Sequence, residues 1–148
     1  MKVVLGMLAR LPLGWMHVLG SGLGWLVYAM SPTTRRRLRE NLAIAGLDTP
    51  ATRRAAIAAM GEAGLELPAI WMRDDAAIER LVTGTEGGEL LDAARAQGKG
   101  IIFMTPHLGC FEMAGRWLGR RIPITVMYRR PKIAWLEPLM TLGRARWQ

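Results

Sequence analysis

Residues 1–99 and residues 100–148 follow different hydrophobic rhythms. From residue 3 to residue 30 the chain is apolar, with only Arg10 and His17 as interruptions, and residues 11–30 carry no formal charge. At roughly 1.5 Å per helical residue, about twenty such residues suffice to cross a hydrocarbon core. Gly14, Gly20, Gly22 and Gly24 lie in this stretch, where small residues are tolerated and let a second helix come close. The pattern predicts an N-terminal membrane-associated helix over residues 1–30, either spanning the bilayer or lying in its interface. A buried core helix is the bland alternative. A secretory signal fits less well, because Arg10 splits the apolar run and Arg35-Arg36-Arg37-Leu38-Arg39 follows it. Positive charge just after an apolar span favours retention on the cytoplasmic side.

Residues 31–99 read as a helical region. Thr34 is placed to cap a helix carrying the arginine run with Leu38, Leu42 and Ile44. Thr49-Pro50 is an N-cap followed by a first-turn proline ahead of an Ala-rich helix. Pro68 should end or kink that helix. Asp74 or Asp75 opens a short helix, and Gly87-Gly88 precedes another that stops at Gly98.

At Gly100 the period changes. Ile101-Ile102-Phe103-Met104 is a continuous apolar run between Gly100 and Pro106, the form of a strand buried on both faces of a parallel sheet. A helix over residues 111–118 and a second strand over 122–128 complete a βαβ unit. The predicted fold is therefore α/β: a membrane-associated helix (1–30), a helical region (31–99) and the start of a sheet (100–148). Two strands and one crossover helix cannot close a core, so the sequence is expected to be the N-terminal half of a longer domain.

Composition and charge narrow the chemistry. An apolar fraction of 51% excludes a disordered tail. Cys110 is the single cysteine, so no intramolecular disulfide forms, and no Cys-His spacing suits zinc. The net charge of +8 is concentrated in residues 31–60 and 101–148. Excess positive charge attracts nucleic acid, anionic headgroups or an acidic partner alike. The arginine run adjoins an apolar span and has no nucleic-acid-binding signature beside it, which favours headgroups and argues against nucleic acid. A non-enzymatic, basic, membrane-tethered binding module is the rival class.

The candidate chemistry lies in His107-Leu108-Gly109-Cys110-Phe111-Glu112. On one continuous helix this spacing would set His107 and Glu112 about 140° apart. They meet only if His107 sits in a loop and Glu112 in the first helical turn, which Pro106 supports. A histidine in that place suits general-base work and a carboxylate suits orienting it. Strand ends of a parallel pair share one edge, which would bring Tyr128-Arg129-Arg130 to the same side. Cys110 also suggests a Cys-His nucleophile, though a lone cysteine is commonly a small buried hydrophobe. His17 reads as a bundle-interior or headgroup-level residue, and Trp15, Trp25, Trp71, Trp117 and Trp135 as core or interfacial aromatics.

The segment from Gly98 to Glu112 resembles the His-x4-Asp/Glu block of the lysophospholipid acyltransferase superfamily, and more closely that of the lipid A biosynthesis lauroyl/myristoyl acyltransferase family. Arg39-Glu40-Asn41-Leu42, Tyr128-Arg129-Arg130-Pro131 and Arg144-Ala145-Arg146 match further family motifs in order, so the resemblance covers nearly the whole chain. Several members have Asn-Trp where this chain has Cys110-Phe111. The resemblance implies an acyltransferase without a cofactor, acting at the cell inner membrane with its catalytic part on the cytoplasmic side. It implies an acyl chain carried by acyl carrier protein and a lipid A precursor hydroxyl deprotonated by His107, with Glu112 orienting the base. Arg144 or Arg146 would stabilise the oxyanion or hold phosphate, and Arg129 and Arg130 would bind sugar phosphate or the acidic carrier. A glycerophospholipid-type acyltransferase is the alternative within the enzyme class.

Overall fold

Three glycines decide how the two longest helices meet. The computed structural model describes residues 2–131 and 134–145. In it α1 (Lys2–Arg10) leads into α2 (Leu13–Met30), and α3 (Pro32–Ile44) into α4 (Pro50–Met72). The α2–α4 pairing is the most extensive between elements. A Cβ on Gly20 of α2 would fall 2.7 Å from the Glu62 Cα, and a Cβ on Gly61 of α4 would fall 2.7 Å from the Gly24 Cα. Backbones this close leave no room for a side chain, so glycine permits the crossing. Gly14 and Gly22 have nothing within 4 Å of an added Cβ and take no part in it.

Because α2 presents Met16, Gly20 and Gly24 to α4, its opposite face points outward. Trp15, Val18, Leu19, Trp25, Leu26 and Met30 are all exposed there, at the three- and four-residue spacing of one helical stripe. The helix docks through its glycines and turns large apolar residues outward. Its glycines, Ser21 and His17 also dilute its hydropathy, and among the described residues no helix is long and apolar enough to cross a membrane. The expectation of a transmembrane helix is corrected accordingly.

Local signals placed most helix ends. Thr49 Oγ1 accepts from the Thr52 N–H at 3.1 Å, with Pro50 in the first turn of α4. Asp74 Oδ1 accepts from the Ala77 N–H at 2.7 Å and opens α5 (Asp75–Glu79). α6 (Gly88–Ala96) is followed by Gly98 in the left-handed region at φ 64°, a conformation that favours glycine. One expected cap was displaced, and of the expectation that Pro68 ends or kinks α4 the ending is overturned. The cap of α3 is Ser31, whose Oγ accepts from the Thr34 N–H at 3.2 Å. And α4 runs through Pro68 to Met72, although a proline cannot donate to the carbonyl four residues back. Ile57 and Gly61 on one side of Pro68, and Ile70 and Trp71 on the other, are buried, and that packing outweighs the missing bond.

The α/β expectation fails from residue 100 onward: among the described residues there is no strand and no sheet. Both presumed strand segments are coil, on either side of α7 (Phe111–Gly119), before a short 3-10 turn (Ala134–Leu136) and α8 (Glu137–Arg144). Ile102 is 94% exposed, Met104 91% and Met127 98%. An apolar run marks a segment able to pair, but a strand exists only where a neighbour supplies its hydrogen bonds.

A second packing centre holds the C-terminal helices. Ile70 and Trp71 of α4 bury against Leu139 of α8, with Met113 of α7 and Cys110 beside them. Arg116 of α7 is 1% exposed and donates to the Ile70 and Arg73 carbonyls and to Asp75 Oδ1, the last two at 2.9 and 2.7 Å. Those carbonyls lie at the C-terminal end of α4, where intrahelical donors run out, so a side chain from α7 caps α4. Arg73 does the same for α1, donating to the Ala9 and Leu11 carbonyls at 2.8 and 2.6 Å.

Candidate active site

Coil gives way to helix at Gly109-Cys110. Gly109 takes φ 56°, which only glycine adopts at no steric cost, and Cys110 is the N-cap residue of α7. His107 is therefore off the helix and Glu112 in its first turn, as the sequence implied. Their surroundings differ sharply. His107 is exposed, its ring packed on Phe111 with centroids 4.4 Å apart. Glu112 is 2% exposed.

A carboxylate so buried needs partners. Its Oε1 accepts from Arg144 Nη2 at 2.5 Å, and its Oε2 from the Trp71 indole N–H at 3.2 Å and from Arg144 Nε at 3.4 Å. Among the described residues no hydrogen bond joins His107 to Glu112. The structure thus brings Glu112 together with Arg144 rather than with His107. Arg144, expected at the oxyanion or a phosphate, is engaged in holding the carboxylate.

The other arginines lie further out. Arg144 also faces Tyr128, with its guanidinium carbon 5.6 Å from the ring centroid. The two residues help line a cleft of about 320 Å³ with Ile124, Val126, Met140 and Thr141. Arg130 Nε lies 3.2 Å from Glu137 Oε1 with its side chain 83% exposed, a surface pair of little stabilising value. Arg129 is exposed. Arg146 lies outside the described residues. Among the described residues there is no sheet edge to gather Tyr128, Arg129 and Arg130 beside His107, and Tyr128 faces the Arg144 of the Glu112–Arg144 pair.

Cys110 is settled by its environment. Burial pushes its thiol from an ordinary 9.0 up to about 11, with the Glu66 and Glu112 carboxylates adding to the rise and a backbone hydrogen bond to Met113 opposing it. A thiol protonated at neutral pH is a poor nucleophile, so the Cys-His reading loses its basis. Alkylation of Cys110 in the folded protein is expected to be slow near neutral pH and to accelerate as pH rises toward about 11; reaction at the rate of free cysteine at neutral pH would contradict this.

Sequence reasoning missed three residues here. Glu66 of α4 lies beside Cys110 and pairs with His17 Nε2 of α2 at 2.8 Å, placing His17 at a helix–helix contact. Arg116 and Trp71 complete the set. Only a pairing of distant segments could have revealed them, since their partners lie more than forty positions away.

Over residues 1–148 the sequence matches the family described as bacterial lipid A biosynthesis acyltransferase. The chain belongs to that family. No curated protein and no solved structure matches it. The reaction class is therefore acyl transfer in lipid A biosynthesis.

Proposed function

We propose that this acyltransferase moves a fatty acyl chain from acyl carrier protein to a hydroxyl of a lipid A precursor. His107 removes the hydroxyl proton, the oxygen attacks the thioester carbonyl, the new C–O bond forms as the C–S bond breaks, and His107 returns the proton to the departing thiolate. The supporting observation is the arrangement at α7: an exposed imidazole on a loop, with a buried carboxylate held from two sides in the first turn behind it. Glu112 orients His107 in the substrate complex, because catalytic contacts commonly tighten only there. Arg129 and Arg130, basic and exposed, are the groups offered to sugar phosphate or the acidic carrier, and Arg146 follows them in sequence.

The enzyme works at the cytoplasmic face of the inner membrane, with residues 1–30 as its anchor and residues 100–148 as its catalytic segment. The outward stripe of α2 supports embedding in the interface, and Arg35, Arg36 and Arg39 line a cleft on the next helix, α3, where headgroup phosphates would lie. One experiment tests both parts. Membranes carrying the protein are washed in high salt and then given acyl carrier protein thioester and a lipid A precursor. The pellet is expected to keep the activity and to form one ester for each carrier thiol released. Activity in the wash would refute embedding, and thiol release without ester would refute transfer.

A further inference from the structure

Trp71 is 5% exposed and is shared by three helices at the site. It belongs to α4, its indole N–H reaches Glu112 of α7 at 3.2 Å, and Gly143 of α8 lies against its ring. A Cβ on Gly143 would fall 2.6 Å from the Trp71 Cβ and 2.7 Å from Cδ1. The ring is packed with Ile70 and Leu139, so moving it would disturb that core. Gly143 immediately precedes Arg144, whose guanidinium holds the other oxygen of Glu112.

We propose that Trp71 is a positioning residue for acyl transfer: its N–H fixes the Glu112 carboxylate from one side, and its ring sets how closely α8 brings Arg144 to the other. The proposal rests on the reading that Glu112 belongs to the catalytic pair. Indole is a donor only, so the Trp71 bond holds one carboxylate oxygen in place. Arg144 Nη2 holds the other oxygen, with its Nε 3.4 Å from the one that Trp71 holds, so rotation of the carboxylate plane loosens a bond at either end. The glycine at 143 is the fit that lets α8 settle at this distance, since any side chain there must displace either the ring or the helix that carries Arg144.

Trp71→Phe keeps the ring and deletes the N–H. In membranes matched for folded protein it is expected to lower kcat about tenfold, the scale of one hydrogen bond to a charged group, with KM for donor and acceptor unchanged. On a Glu112→Gln background the same change is expected to cost less than about twofold further, because both substitutions act through one carboxylate. Gly143→Ala keeps the indole N–H as a chemical group and tests the geometry from α8; its kcat is expected to fall at least as far as that of Trp71→Phe. Wild-type kcat in Trp71→Phe, a full multiplicative loss on the Glu112→Gln background, or wild-type kcat in Gly143→Ala would each overturn the proposal while leaving Glu112 in its role. Full activity in Glu112→Gln alone would instead remove the catalytic reading, and this inference with it.

Discussion

His107→Ala is expected to abolish acyl transfer and to leave the folded protein as stable as before. The two halves of that expectation come from different observations. Loss of activity follows from the proposed role of general base, which contributes about a hundredfold to ten-thousandfold by itself. Retained stability follows from the surroundings: His107 is exposed and on a loop, and its ring contact is with Phe111, so its removal opens no cavity and strands no buried partner. Thermal unfolding and turnover measured on the same preparation separate the two. A histidine whose function was to hold the turn would show the opposite pattern, with stability and activity lost in proportion. Cys110→Ala serves as the control from the same loop and is expected to be mild, because a thiol held protonated by burial supplies no nucleophile.

Arg144→Ala is expected to damage both properties. Glu112 is 2% exposed, and deleting its guanidinium partner leaves a buried carboxylate with the Trp71 N–H as its remaining partner among the contacts described here. Breaking one side of a buried pair costs on the order of 3–5 kcal/mol, because the surviving charge is uncompensated. The Arg144 side chain is 19% exposed, which places the loss toward the lower end. The sign test is the double variant. Arg144→Met combined with Glu112→Gln removes both charges and is expected to be more stable than Arg144→Met alone, although inactive. Chemical denaturation of the three proteins measures this; a double variant less stable than either single one would show that Arg144 contributes packing rather than charge compensation.

The contrast between these residues explains what the sequence disclosed. Helix ends were legible where one residue acts on its own backbone: Thr49 before Pro50, Asp74, and Gly98 in the left-handed region. The separation of His107 on the loop from Glu112 on the helix was legible for the same reason, since Pro106 and Gly109 act locally. The sheet was not legible, because Ile101-Ile102-Phe103-Met104 has the composition of a strand while pairing depends on a neighbour that composition cannot name. The continuation of α4 through Pro68 was hidden likewise, being decided by contacts on either side of the proline. Glu112 was identified but its partners were not. Arg144 and Trp71 reach it from 32 and 41 residues away, and Gly143 looks in sequence like any helix glycine until the Trp71 ring is placed against it. The stripe of α2 shows both sides of this. Its apolar content announced a membrane helix, yet the glycines that dilute it are the residues that dock α2 onto α4 and turn Trp15, Val18 and Leu26 outward.

Acylation of a lipid A precursor through His107 is proposed here as the activity of the protein, and the choice of acceptor tests it most directly. The direct measurement supplies one acyl carrier protein thioester to salt-washed membranes containing the protein, with a lipid A precursor and a glycerol-phosphate acceptor present together, and identifies the acylated product by mass. The account predicts a single added acyl ester on the lipid A precursor, absent when His107 is alanine. Acylation of the glycerol-phosphate acceptor alone, or the same lipid A product from the His107→Ala protein, would contradict it.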